Sequence, residues 1–483
     1  MGFGKSIKEF VNSDKDYPVL TGFLAGFYPL LFFYDANYES INSIQHLAFF
    51  AGLFLILPSL SVYAAYKLVS RFSKTKPYKR HLLFILVIEI AAAFLSQVQY
   101  LTLKKKILLA LLIVLVLLSK KLHDHYKKVL VFMMLLCIFP AVNVVNTFLS
   151  KQFVDTKAWM RQPDHVKNVK FVQKPNVYFI EPDGYTGSDA MADVPYKYHD
   201  TMYDYLKLQS FTVYEKTISN YPASLASNAS MLGMKHHYLG KILSSPFEMQ
   251  DARNIISADN PVVEIFRKND YKTFFIVEDE YFQKNFSRGQ YDYYNIQNSE
   301  IPFFSDDNSV KKDVYRDLEK CIAAERNSAQ PKFYFVEKLL PHHIAFDGSG
   351  VANERKSYLD DIETCNKWLK KTISMIGKND PNAIILIVGD HGGWVGIENN
   401  RQMFSTKDPK LLRSIFSNLI AIKWHDKAHV KYDAKLRSNV NIFRVLFACL
   451  GQDATLLQNL QPDEAYHIRQ HSFSKKPEKV LER

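Results

Sequence analysis

The sequence predicts a membrane-embedded helical region followed by an α/β domain, and three observations carry that prediction. The first third of the 483-residue chain is nearly uncharged over stretches of membrane-spanning length. The rest alternates short apolar runs with segments whose apolar residues recur at helical spacing, the pattern of a sheet covered by helices on both faces. Two of the apolar runs stop abruptly at acids beside glycine, at Asp183-Gly184 and at Asp390-His391-Gly392. Buried parallel strands read as continuous apolar runs, and open α/β sheets place their chemistry at the carboxyl ends of such strands.

Residues 1–150 contain five uncharged or nearly uncharged spans, Tyr17 to Tyr34, Ile41 to Tyr66, His81 to Leu103, Ile107 to Ser119 and Val129 to Ser150. Most approach the roughly 20 residues that a bilayer-crossing helix needs. The fourth is short, but Lys104 to Lys106 and Lys120 to Lys121 flank it and can snorkel toward the interfaces. Five transmembrane helices are expected. With the amino terminus inside, the inner segments carry thirteen Lys and Arg, from Lys5, Lys8 and Lys15 through Lys67 to Arg80 and Lys120 to Lys128, against Lys104 to Lys106 outside. The positive-inside rule therefore fixes the orientation, and an odd number of helices places the rest beyond the cytoplasmic membrane, on its periplasmic or extracellular side. No small-residue cleavage site follows the first span, which reads as an anchor. Glu89 sits within the third span, where a bundle-facing carboxyl is the simpler reading because no second charge accompanies it.

The net charge of +12 does not point to nucleic acid, since the inner lysines and arginines obey the topology rule and the others are interspersed with acids. Of four cysteines, Cys137 lies in the fifth span, while Cys321, Cys365 and Cys449 leave room for one disulfide but no framework.

Residues 151–174 read as a polar juxtamembrane linker, 175–471 as the outer catalytic domain and 472–483 as a charged, disordered tail. Strands are expected at the run ending in Asp183, at Phe211 to Tyr214, Lys272 to Val277, Lys332 to Val336, Ala383 to Val388 and Leu419 to Lys423. Helical spacing marks His199 to Leu208, Val262 to Asn269, Lys356 to Ile376 and Asn439 to Leu450.

Asp183, Asp390 and His391 bring hard oxygen and borderline nitrogen donors to the strand ends, a set suited to zinc, manganese or magnesium. A nucleophile is expected nearby, in Ser219-Asn-Tyr-Pro-Ala-Ser-Leu-Ala-Ser. Ser219 or Asn220 can cap a helix with Pro222 in its first turn, which places Ser224 at the positive end of the helix dipole, where a serine is also often no more than a cap. After the strand Lys332 to Val336, His342 or His343 offers an imidazole for proton transfer, or a plain exposed loop residue.

With these segments in hand, the chain resembles the alkaline phosphatase superfamily, and within it the sulfatase-like membrane proteins that include lipoteichoic acid synthases and lipid A phosphoethanolamine transferases. The matching segments are Pro175 to Tyr185, Asn220 to Ser227, Leu339-Leu-Pro-His342, Gly389-Asp-His-Gly392 and Asn439 to Arg444. The resemblance implies an alkaline-phosphatase-like α/β sandwich and one divalent metal, zinc or manganese, held by Asp183, Ser224, Asp390 and His391. It also implies Ser224 as nucleophile and His342 as the residue facing the substrate or leaving group. Family members usually place threonine at the nucleophile position, and Ser219 and Ser227 are close by. No Cys/Ser-x-Pro-x-Arg arrangement surrounds the candidate serine, so formylglycine-dependent sulfate hydrolysis is disfavoured. The two-metal phosphatases carry a carboxylate four residues before the second-site histidine, whereas this chain carries Lys338.

The expected function is transfer of a phospho-linked head group, of phosphoethanolamine or phosphoglycerol type, from a phospholipid donor in the bilayer to a surface glycan or lipid acceptor through a phospho-serine. Two alternatives stand beside it, a phosphodiesterase or other hydrolase that delivers the group to water, and a catalytically inert membrane scaffold or sensor.

Overall fold

In a computed structural model of the chain, residues 2–72, 76–153, 155, 157–236, 250–286, 289–304, 309–467 and 478–483 are described. The chain forms two compact units, Met1–Asp155 with Phe303–Asp306, and Thr156–Pro302 with Asp307–Arg483.

In the first unit, four segments are long and apolar enough to cross a membrane: Pro18–Ile41, Ile44–Phe72, Pro77–Tyr100 and Lys105–Leu149. The last comprises two helices, Lys105–Leu122 and Tyr126–Phe153, joined by a 3-10 turn at His123–His125. The chain reverses at that turn. Ser119 before it meets His81 at 3.0 Å, while beyond it Tyr126 reaches Asp16 (3.2 Å) and Asn143 reaches Asp35 (3.2 Å), so the last helix climbs beside the first. Gly22 and Gly26 permit close backbone packing of that first helix, since a Cβ at Gly26 would lie 1.6 Å from the Phe54 carbonyl oxygen and one at Gly22 2.4 Å from that of Pro58. Phe54 belongs to a π-helical stretch, Gly52–Ile56. Charges collect at one end, where Arg80 meets Asp16 (3.3 Å) and Asp124 (2.6 Å). Glu89 is partly buried, and one of its carboxyl oxygens has no hydrogen-bond partner among the described residues. Phe304 joins this unit from much later in the chain, its ring 5.4 Å from that of Phe33.

The second unit is built on one sheet. Its strands are β1 (Val177–Pro182), β2 (Thr212–Tyr214), β3 (Lys272–Ile276), β4 (Tyr293–Tyr294), β5 (Lys332–Lys338), β6 (Ile384–Val388) and β7 (Ile420–Lys423), in the order β2-β7-β6-β1-β5-β3-β4. Strands β6, β1, β5, β3 and β4 pair in parallel, and β7 runs antiparallel to both β6 and β2. Every residue of β1 and β6 is buried, as continuous apolar runs require when helices cover both faces. On one face Tyr178, Ile180, Tyr334 and Val336 pack with Ile362, Leu369 and Ile373 of the helix Val351–Asn379. On the other, Phe179 meets Phe443 (5.4 Å) and Phe333 stacks on Phe266 (4.1 Å), which brings in the helices Ile442–Gly451 and Pro261–Lys268.

Four expectations change. The helix that carries Ser224 spans Ser224–Gly233 and is preceded by Ala223 with no side-chain cap, not by Ser219 or Asn220. Those two side chains are engaged elsewhere: Ser219 Oγ donates to the Tyr221 carbonyl (3.0 Å), and Asn220 accepts from Val440 N–H (2.9 Å) and donates to the Glu464 carbonyl (2.8 Å). The linker segment is irregular yet packed, with Phe171 stacked 5.5 Å from Phe447 and Asp164 paired with the buried Arg444 at 2.6 Å. Part of the expected disordered tail, residues 472–477, lies outside the described residues. The remainder is ordered as β9 (Glu478–Glu482), which pairs antiparallel with β8 (Glu464–His467), and Lys479 bridges to Glu464 across the pair at 3.1 Å. Finally, all four cysteines are buried free thiols, so the disulfide left open by the sequence is not formed.

Candidate active site

Asp183 follows β1 directly. Its backbone N–H donates to the Lys338 carbonyl (3.0 Å) and its carbonyl accepts from His342 N–H (2.8 Å), which ties the end of β1 to the loop after β5. Gly184 adopts φ +68°, and a Cβ there would lie 2.4 Å from the His342 carbonyl oxygen, so both its conformation and its space demand glycine. Asp390 and His391 follow β6 and are 0 % and 1 % exposed. Their backbone is held from behind. Ser227 Oγ donates to the Asp390 carbonyl (2.6 Å), and Asn418 and Asn439 both donate to the Gly389 carbonyl (2.5 and 3.1 Å).

One ligand atom from each of Asp183, Asp390 and His391 lies within 4.8 Å of the others, a group able to hold a metal ion. Asp390 Oδ1 accepts from Gly184 N–H (2.9 Å) and its own neighbour His391 N–H (3.0 Å), whereas the buried Oδ2 has no hydrogen-bond partner among the described residues. That oxygen lies 3.4 Å from His391 Nε2, and a desolvated carboxylate oxygen without a hydrogen bond is costly, a cost that a cation relieves. His391 Nδ1 faces the Gly392 carbonyl at 2.8 Å, which can only accept, so Nδ1 carries a proton and Nε2 is the ring atom that faces Asp183 Oδ1 at 3.5 Å. The residues present therefore fit a divalent ion, as their sequence pattern predicts.

Ser224 is the first residue of its helix. Its Oγ lies 3.4 Å from Asp183 Oδ1 and 3.3 Å from His391 Nε2, within the same cluster. Ser219 and Ser227 spend their hydroxyls on backbone carbonyls, as above, and stay out of it. The histidine doublet also divides. His342 adopts φ +64°, and its Nδ1 lies 2.5 Å from Asp183 Oδ2, leaving Nε2 outward on a side chain 53 % exposed. Burial disfavours the charge on this imidazole, but the Asp183 carboxylate beside it prevails and raises its pKa above the usual histidine value. Burial likewise works against ionisation of Asp183, and the imidazoles of His342 and His391 outweigh it, holding that carboxyl well below the usual range. Burial raises Asp390.

His343 instead stacks on Trp394, ring centroids 3.6 Å apart, and burial, aided by the neighbouring imidazoles, lowers its pKa well below the usual histidine value. Trp394 was not marked by the sequence. It also lies 5.1 Å from the His391 ring and donates Nε1–H to the Pro222 carbonyl (3.1 Å), so one indole braces the strand end that carries His391, the histidine loop and the approach to the Ser224 helix. Its position just past Gly392-Gly393 was the available signal.

Residues 189–452 match the sulfatase family model. With more than half its length matched, the chain belongs to the sulfatase family, within the alkaline phosphatase superfamily. The matched stretch contains Ser224, His342, Asp390 and His391 and begins just after Asp183. Similar solved structures include the C-terminal periplasmic domain of EcEptC from Escherichia coli in complex with zinc, at 13 % identity and TM-score 0.45 over 65 % of this chain and 95 % of that one. The integral membrane lipooligosaccharide phosphoethanolamine transferase A (EptA) from Neisseria meningitidis is similar at 13 % identity and TM-score 0.42, over 78 % of this chain and 76 % of that one. The putative sulfatase yidJ from Bacteroides fragilis gives 13 % and 0.41, over 64 % and 83 %. No curated protein matches the chain by sequence.

Proposed function

We propose that this membrane protein transfers a phospho-linked head group, of phosphoethanolamine or phosphoglycerol type, from a phospholipid to a surface glycan or lipid at the outer face of the cytoplasmic membrane. The observation that carries the reading is the position of Ser224 Oγ, within 3.4 Å of both Asp183 and His391 at the start of a helix with no side-chain cap. Its neighbours Ser219 and Ser227 are committed to carbonyls, which singles it out.

Asp183, Asp390, His391 and Ser224 would hold one divalent ion, zinc or manganese. When bound, that ion would supply positive charge that lowers the serine hydroxyl pKa and offsets charge on the phosphoryl oxygens. Ser224 Oγ attacks the phosphorus of the lipid phosphodiester, and the bond from phosphorus to the diacylglycerol oxygen breaks. The first turn of the Ser224 helix directs its N–H groups and dipole toward the phosphoryl oxygens. His342, oriented through Nδ1 by Asp183, gives a proton from Nε2 to the departing oxygen and then takes one from the acceptor hydroxyl, which attacks phosphorus and releases Ser224. A chain anchored in the bilayer meets its lipid donor already confined to the same surface.

Ser224→Ala tests the assignment. Intact-protein mass spectrometry of wild type incubated with phospholipid should detect a head-group phosphate adduct, absent in the variant. An adduct that persists in Ser224→Ala overturns Ser224 as the nucleophile. Labelled phospholipid supplied with and without glycan separates transfer from hydrolysis, since a hydrolase releases the same free head-group phosphate in both.

A further inference from the structure

Two more acids lie just behind the strand ends and take no part in the chemistry above. Glu181 precedes Asp183 by two residues on β1, and its register partner across the parallel pair is Glu337 on β5. Register partners project to the same face of a sheet, so the two side chains leave neighbouring positions on one face. They are 1 % and 2 % exposed. Burial and the neighbouring acids push both well above the usual carboxylate range in the protein alone, and Asp279 contributes to the field at Glu337. Lys338, next along β5, is engaged by Glu278 at 2.8 Å.

A third side chain joins them from the helix that begins at Ser224. Asn228 is 0 % exposed and donates Nδ2–H to Glu181 Oε1 at 2.8 Å. Glu181 Oε2, Glu337 Oε2 and Asn228 Oδ1 all lack a hydrogen-bond partner among the described residues. Three buried polar atoms about one strand pair, with no donor from any other described residue, need either protons on the carboxyls or a cation between them.

We infer that Glu181, Glu337 and Asn228 form a second cation site, for a hard divalent ion of the magnesium, manganese or calcium class. Its donors are all oxygen, two carboxylates and an amide, whereas the Asp183, Asp390, His391 group includes an imidazole and suits a softer ion. An ion here neutralises both carboxylates and links β1, β5 and the Ser224 helix, the three elements that set the nucleophile against Asp183. The site uses none of the ligands of the phosphotransfer reading and stands or falls separately from it.

The test is metal content of the full-length protein in detergent, zinc-loaded and then equilibrated with manganese, together with anomalous scattering at the manganese edge from crystals of the same sample. The expected result is one zinc and one manganese per chain, with the manganese peak among Glu181, Glu337 and Asn228. Manganese should be lost in Glu337→Gln and in Glu181→Gln with zinc retained, and the reverse in Asp390→Asn. A wild-type chain that holds no manganese beside its zinc, or a manganese peak elsewhere, overturns the site and leaves a neutral carboxyl pair. The wild-type map decides even where a glutamine variant fails to fold.

Discussion

The two histidine-bearing strand ends of the site are built in opposite ways. After β6, Asp390 and His391 are sealed in, and neutral side chains from Ser227, Asn418 and Asn439 clamp the backbone carbonyls around them. After β5, His342 stands half-exposed, its ring held by Nδ1 against Asp183 and packed 4.1 Å from the His343 ring. A sealed end keeps donor atoms at fixed separation and excludes competing water, which is what an ion needs. In the proposed transfer, an open end would let an imidazole meet first a departing oxygen and then an incoming hydroxyl.

Substitutions on each side sharpen that contrast. The largest effect is expected at the sealed end: Asp390→Asn keeps the shape and removes a ligand charge, so tight metal binding should be lost and turnover should fall by about a thousandfold or more. Metal content and head-group transfer measured on one preparation check it, and near-wild-type transfer in a metal-free variant would break the comparison. At the open end, His342→Ala should retain the metal and lower turnover by about a hundredfold, the usual scale for one general acid–base group. Equal loss of metal in both variants would show that the two ends are not separable. The smallest effect is expected at His343→Phe, which preserves the stack on Trp394. Its unfolding free energy should change by less than about 1 kcal/mol, read from denaturant unfolding, with metal content unaltered.

The sealed end was legible in the sequence because its signal is local: an apolar run that stops at Asp390-His391, matched by another that stops near Asp183. The choice among Ser219, Ser224 and Ser227 was not, because it depends on which hydroxyls are consumed by carbonyls of Tyr221 and Asp390, and one of those is distant in sequence. The cap assignment failed for the same reason, since Asn220 serves Val440 and Glu464 instead of its own helix. Trp394 was one more apolar residue until the fold set it against two histidines. Glu181 and Glu337 had a visible signal, an acid closing an apolar strand, but only register makes them neighbours. The tail misled by composition, because charge alternating with Val480 and Leu481 suits a solvent-facing edge pair as well as it suits disorder.

The four free cysteines have a consequence for oxidation. Cys321, Cys365 and Cys449 are buried in separate helices, and burial pushes their thiols upward, to about 11 for Cys321 and about 12 for Cys449. A protonated, enclosed thiol is a poor nucleophile toward oxidants and disulfides. Once folded, the domain offers these three thiols to oxidants neither ionised nor exposed, so they are poorly placed to form cross-links.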